Sequence, residues 1–225
     1  MKIIARIYTD FPEKFGIPRQ SGIAEWARGK IVFEPEFRNP DALRGIEGYS
    51  HLWIIWKFSE AEREKFSPTV RPPRLGGNKK MGVFATRSPF RPNPIGLSSV
   101  KLLSVSDEGE LGLTISVLGA DMLDGTPIYD IKPYLAYTDS HPDAIGGFAD
   151  AVLGKKLDTD IPEALLRRVD PSDRETLISM LEDDPRPSYI DDPEREYGMK
   201  FSKYEIFFKV SEKTLEVTDI KLNIN

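Results

Sequence analysis

Cysteine is missing from this chain, and histidine occurs only as His51 and His141. Without cysteine there is no disulfide, no thiolate metal site and no cysteine nucleophile, and a cytoplasmic location is the default expectation. Two histidines exclude a His-rich metal centre. A metal would have to rest on carboxylates, and no clustered pattern of them stands out, so none is expected. There is no Gly-x-Gly-x-x-Gly after a strand, no Gly-x-x-x-x-Gly-Lys-Ser/Thr and no Gly-x-Ser-x-Gly elbow. A Rossmann-type nucleotide site is therefore not expected, and any adenine-containing cofactor needs another kind of pocket. No run approaches the roughly 18 apolar residues of a membrane helix. The densest, Leu52–Phe58, contains Lys57. The start, Met-Lys-Ile-Ile-Ala-Arg-Ile-Tyr, has too short an apolar part, interrupted by Arg6, for a secretory signal. Internal repeats and low-complexity tracts are also absent.

The chain does hold 225 residues, 40% hydrophobic and 30% charged, which is ordinary for one large or two small globular domains. Its charge is unevenly spread. From residue 65 to 101 stand Lys65, Arg71, Arg74, Lys79, Lys80, Arg87, Arg91 and Lys101, with no acid among them. The whole chain is −5, so the rest carries −13. One all-basic segment in an acidic protein points to a polyanionic partner. Within it, Met81–Ser98 combines Arg87, Arg91 and Asn93 with prolines and glycines. Prolines fix φ and glycines admit close approach, so a stiff loop presents its guanidinium groups in set directions, as anion or carboxylate recognition requires. An ordinary proline-stiffened turn would not need both arginines there.

Apolar alternation and β-branched content predict strands at 2–8, 23–33, 51–58, 82–86, 97–104, 111–118 and 127–131. Pro40–Arg44 reads as a short helix with Asn39 as its cap, and Asp107–Glu110 as a hairpin turn. Many short strands and few helices predict a mainly β fold, with a β-barrel over residues 1–140. Residues 141–160, rich in Gly, Ala and Asp, read as a linker or covering loop. Residues 161–225 read as a small α+β C-terminal domain. In it Ser172 caps a helix through the Glu175 amide, with Leu177, Ile178 and Leu181 on one face. A hairpin of 203–210 and 215–222 closes the chain.

Other polar clusters have both a plain and a functional reading. In Phe15-Gly-Ile-Pro-Arg-Gln20 the Arg19 guanidinium suits a carboxylate and the Gln20 amide a base edge or amino group, though a solvated turn looks the same. His51 opens the most apolar strand, where a lone histidine is more often a hydrogen-bonded structural residue than a catalyst. Asp124-Gly125 is a common tight turn. Asp130 and Lys132 share one side of a strand, as a plain ion pair or as an acid–base pair at a pocket. Asp184-Pro-Arg-Pro-Ser-Tyr189 breaks a helix, yet again joins a carboxylate, an arginine and a phenol on rigid backbone.

Taken in order, Lys14–Gln20, Tyr49–Trp53, Thr69–Asn78, Met81–Ser98, Leu123–Tyr134 and Asp184–Tyr189 resemble the TsaA/TrmO family (the VirR-like, UPF0066 group). The resemblance implies an S-adenosylmethionine-dependent tRNA methyltransferase on a non-Rossmann β-barrel. It implies methylation of N6 of N6-threonylcarbamoyladenosine (t6A) at position 37 of threonine tRNA, and a homodimer. By motif position it places the cofactor against Pro18, Arg19, Gln20, His51, Arg87, Leu97, Asp124, Gly125 and Thr126. The N6 lone pair is delocalised, so a proton acceptor helps, and Asp130, Asp184 and Tyr189 are candidates by type. Arg71, Arg74, Arg87 and Arg91 suit the threonyl carboxylate, and Lys79 and Lys80 with them the anticodon-loop phosphates. Two other readings compete. One is a methyltransferase of a small carboxylated molecule; the other is a non-enzymatic S-adenosylmethionine- or RNA-binding module.

Overall fold

The structure, a computed structural model, describes all residues except 62–64, 73–74, 76–78, 153–155, 187–191 and 224–225, and only the backbone of 151–152. Its first part is built from β1 (Ala5–Thr9), β2 (Arg28–Phe33), β3 (His51–Lys57), β4 (Thr69–Val70), β5 (Met81–Gly82), β6 (Ile95–Asp107), β7 (Leu113–Leu118) and β8 (Thr126–Pro133). All but β4 and β5 close an antiparallel barrel in the order β1-β2-β7-β6-β3-β8. Alternation decides which side chains fill it. Ala5, Ile7, Ile31, Leu52, Ile54, Val100, Ile115, Val117 and Ile128 point inward and are buried. Closure rests on the length of β6. Ile95–Lys101 pair with β3, and from Lys101 the strand runs along β7 as far as Asp107, with a bulge between Leu102 and Ser104. Gly96 is needed at the start of β6, because a Cβ there would fall 2.5 Å from Cδ2 of the buried Trp56 ring.

The second part comprises α1 (Ala136–Asp139), a 3-10 turn (Gly147–Val152), β9 (Asp158–Asp160), α2 (Glu163–Leu166), α3 (Pro171–Glu182), β10 (Tyr197–Phe201), β11 (Tyr204–Ser211) and β12 (Thr214–Leu222). Its sheet runs β10-β11-β12-β9, with β9 parallel to β12. Phe201, Tyr204, Ile206, Phe208, Leu215 and Val217 form its core with Leu177, Met180 and Leu181 of α3. Phe11, Ala24 and Ala27, from the loop between β1 and β2, are buried in that same core. The loop thus serves two masters: it joins barrel strands, and it is a wall of the C-terminal unit.

Several expectations hold, and several are corrected. The mainly β fold, the barrel and the final hairpin are present, as is the Asn39 cap, which accepts from the Asp41 amide at 3.0 Å. The strand expected at 23–33 starts only at Arg28, since Ala24 and Ala27 turn away into the other core. The strand expected at 82–86 ends at Gly82. Val83–Ala85 is a 3-10 turn, closed by the Thr86 amide and hydroxyl on the Val83 carbonyl. Ser172 is not a cap: Pro171 takes the first helical position, Asp170 precedes it, and Ser172 bonds Asp173. Met180, not Ile178, completes the buried face of α3. Asp158–Asp160 is a strand without an apolar pattern, because pairing with β12 supplies what its side chains lack. Among the described residues, no helix is long and apolar enough to cross a membrane.

Candidate functional site

Three stretches distant in sequence meet at one rim of the barrel: the β1–β2 loop, the start of β6, and the β7–β8 loop. The first is held from behind. Gly16 sits at φ +93°, a backbone conformation that L side chains rarely adopt, and a Cβ there would fall 2.6 Å from Cγ of the buried Met199. Pro18 is buried beside it. Arg19 donates through Nη2 to the carbonyls of Asp184 (2.7 Å) and Arg186 (2.9 Å), so the segment after α3 braces the loop. Gln20 donates its amide to the Arg19 carbonyl and accepts from Arg87. Arg87 is itself exposed, in the loop before β6. Next along, the Ser21 hydroxyl accepts from the Ser99 amide at 3.1 Å, and the Gly22 amide donates to the Gly119 carbonyl. The first of these lies along the part of β6 that has no barrel strand on that side, and the second at the end of β7.

Asp121 is the hub. Its Oδ1 accepts from the Ser98 hydroxyl at 2.6 Å, and Ser98 in turn accepts from Trp56 Nε1 at 2.9 Å. Burial pushes the Asp121 carboxyl up to about 6 from its usual 3.8, against the pull of Ser98, the Ser21 backbone and the charge of Arg87. A carboxylate that stays mostly ionised at neutral pH in such a place joins the loop, the barrel wall and the exposed arginine. Neighbouring Asp124 accepts from the Thr9 amide (2.9 Å), while its own amide donates to Phe11. Gly125 follows at φ +74° with its amide on the Ile7 carbonyl, and nothing lies within 4 Å of where a Cβ would stand. The Thr126 hydroxyl closes the turn on Leu123 at 2.6 Å. Leu97 faces outward beside buried Ser98 and is 56% exposed.

The other expected residues fall in different places. His51 is on the outer face of β3, opposite Lys101, its Nδ1 2.9 Å from the Ser50 hydroxyl and its ring against Tyr134. It lies three residues from Ile54, the partner of Ser98, so roughly 10 Å further along the strand. Asp130 forms an ion pair with Lys132 at 3.0 Å and shares a cross-strand row with Ile55 and Leu97. Asp184 gives both carboxylate oxygens to Arg186, at 2.9 and 3.1 Å. Arg91 is spent locally, donating to the carbonyls of Val83 and Thr86. Arg71, Lys79 and Lys80 are exposed at the ends of the β4–β5 hairpin. Tyr189 and Arg74 lie outside the described residues. Sequence reasoning missed Asp121, Ser98, Ser21 and Trp56. The readable signal was a carboxylate set among small and apolar residues, Gly119-Ala-Asp-Met-Leu123, just after a buried strand.

A cavity of about 160 Å³ lies behind the loop, lined by Gly16, Pro18, Arg19, Met180 and Pro185. That is below the roughly 300 Å³ of small-molecule sites. A second cavity, of about 370 Å³, is lined by Met1, Lys2, Ile4, Phe37, Ile55, Tyr129 and Asp130. Among the described residues, no group of three or more His, Asp or Glu side chains is arranged to hold a metal.

A model of the tRNA-methyltransferase O N-terminal domain matches residues 6–140, and one of the TrmO C-terminal domain matches residues 160–223. The chain is 38% identical to a tRNA (adenine(37)-N6)-methyltransferase of Escherichia coli over 95% of its own length and 94% of that protein's. It is 46% identical to one of Eikenella corrodens, over 72% and 91%. A crystal structure of TrmO from Pseudomonas aeruginosa superimposes with a TM-score of 0.75 at 34% identity, covering 98% of this chain and 95% of that one.

Proposed function

The chain belongs to the tRNA-methyltransferase O family, and on that footing we propose that it methylates N6 of t6A at position 37 of threonine tRNA, with S-adenosylmethionine as donor. Its activity is that of a tRNA (adenine(37)-N6)-methyltransferase, as in the Escherichia coli relative that shares nearly its whole length. One observation carries the site. Gln20, Arg87 and Asp121, from three separate loops, meet at the rim of the barrel: Gln20 accepts from Arg87, and Asp121, bonded to the Ser21 backbone and Ser98, lies within reach of the Arg87 charge.

The residues there suit the donor. Arg87 offers a cation to its carboxylate, Leu97 an exposed apolar face to its adenine, and the Gly125 turn an open backbone. When bound, S-adenosylmethionine supplies an electrophilic methyl group on sulfonium. The protein's share is to hold the acceptor nitrogen in line with it and to take up the N6 proton. Asp184 is clasped by Arg186 and braces Arg19, so we assign the proton to Asp130, whose half-exposed carboxylate lies in the row with Leu97. Arg71, Lys79 and Lys80 present charge to the anticodon-loop phosphates. The reading includes a homodimer, with the barrel over 1–140 carrying the chemistry and 161–225 closing it from behind.

Labelled methyl transfer to two threonine tRNAs, one carrying t6A and one unmodified, tests this. Label is expected only in the t6A tRNA, in a nucleoside one methyl heavier. Label in neither, with cofactor still bound, sinks the proposal. In the same assay Asp130→Asn is expected to lose roughly a hundredfold in turnover at unchanged cofactor affinity. Undiminished turnover would remove Asp130 from the reaction.

A further inference from the structure

Two phenylalanines of the basic segment lie open to solvent side by side. Phe84 is 71% exposed and Phe66 57%. Their ring centroids are 6.3 Å apart, at an interplanar angle of 26°. Single exposed apolar side chains are common on protein surfaces, but a paired, near-parallel aromatic surface is a feature with a use.

The pair is held rather than loose. Phe66 precedes β4 and Phe84 follows β5, so the rings come from the two ends of one hairpin. The Val83 amide donates to the Pro68 carbonyl at 2.9 Å, tying those ends together, and the buried Val83 side chain anchors the turn. Arg91, fixed by the Val83 and Thr86 carbonyls, sets its guanidinium 5.7 Å from the Phe84 centroid. Lys65, Arg71, Lys79, Lys80 and Arg87 around the hairpin are all exposed. The whole stretch from 65 to 101 contains no acid.

We propose that Phe84 and Phe66 form a stacking platform for an unstacked anticodon-loop base next to the modified adenosine. The inference rests on the tRNA reading above and extends it to how the loop is held open. Anions with flat apolar faces are what this surface suits: phosphates meet the lysines and arginines while a base lies on the rings. A loop base that stacks here is not stacked on position 37, which frees the target N6 toward the barrel rim.

The test is binding of a threonine tRNA anticodon stem-loop carrying t6A, by fluorescence anisotropy at several salt concentrations. Phe84→Leu keeps apolar bulk without a π-face, and at so exposed a position it leaves the core untouched. It is expected to weaken binding roughly tenfold, the scale of one lost base–aromatic stack. Phe84→Trp is expected to bind like the parent or better. Neither should alter the slope of affinity against salt, because no phosphate contact is lost, whereas Lys79→Ala with Lys80→Ala should flatten it. Parental affinity in Phe84→Leu overturns the platform. So does weakened binding accompanied by a changed molecular mass in sedimentation, which assigns the rings to a contact between copies of this chain. Methyl transfer by the parent to the same tRNA is measured in parallel. No transfer fails the methyltransferase reading; transfer with undiminished Phe84→Leu affinity fails the platform alone.

Discussion

A chain ending at residue 160 is expected to keep its barrel and lose its cofactor, although Pro18, Arg19, Gln20, Arg87, Leu97 and Asp124–Thr126 all remain. The barrel core, centred on Ile7, Ile31, Ile54 and Ile115, contains no residue beyond 160, so the far-ultraviolet strand signal should survive. The β1–β2 loop is another matter. Phe11, Ala24 and Ala27 are buried only in the core completed by β10–β12 and α3. Arg19 would also lose the Asp184 and Arg186 carbonyls. Hydrogen bonds to charged groups contribute roughly 1.5–3 kcal/mol each, so losing two removes about 3 kcal/mol or more of loop placement. If binding requires the placed loop, S-adenosylmethionine affinity falls by at least about a hundredfold. Titration calorimetry on the two forms measures it. Equal affinity would show that the loop holds its shape without the C-terminal unit.

Asp121→Asn should separate stability from function. In the folded protein the carboxyl titrates near 6 instead of 3.8, so the fold favours the protonated form. For a raised acid the unfolded chain releases its proton first. Stability therefore falls as pH rises from about 3.8 to about 6, and is level above. The span of about two units corresponds to about 3 kcal/mol. Asparagine does not ionise, so between about pH 3 and about pH 7 the unfolding free energy of the variant should gain about 3 kcal/mol relative to the parent, read from urea midpoints across that range. Every other titrating group is common to both chains and cancels. A difference that stays constant with pH would mean that the carboxyl titrates as in water. Activity should move the other way. In the parent, turnover rises through about pH 6 as Asp121 ionises and its charge holds Arg87 and the Ser21 amide. The variant should lack that limb and be slower throughout. Stability given up at a functional rim is a common trade.

Much of the molecule was legible in advance because it depends on short-range pattern. Leu52, Ile54 and Trp56 alternate with outward residues, and that period alone makes β3 a half-buried strand. Tyr204–Ser211 and Thr214–Leu222 alternate around a short polar turn, which suffices for a hairpin. The errors fall where a residue answers to a distant partner. Ala24 and Ala27 look like the start of a barrel strand until a second core, made more than 140 residues later, takes their side chains. Asp158–Asp160 has no strand pattern of its own and borrows its geometry from β12.

The site divides in the same way. Sequence by itself determined the residue types: guanidinium groups on stiff loops, a tight Asp-Gly turn, one basic segment in an acidic chain. Those follow from composition, φ restriction and spacing, which are properties of neighbours along the chain. Only the tertiary structure decided which groups act together. It brought Gln20 to Arg87, Ser21 to Asp121 and Arg19 to the carbonyls after α3, and left His51 on the barrel's outer face beside Tyr134. It also gave Asp121 its raised pKa and left Phe66 and Phe84 uncovered. Burial and electrostatic coupling are set by what surrounds a group in space, and strand order around a closed barrel is not written in any local stretch of the chain.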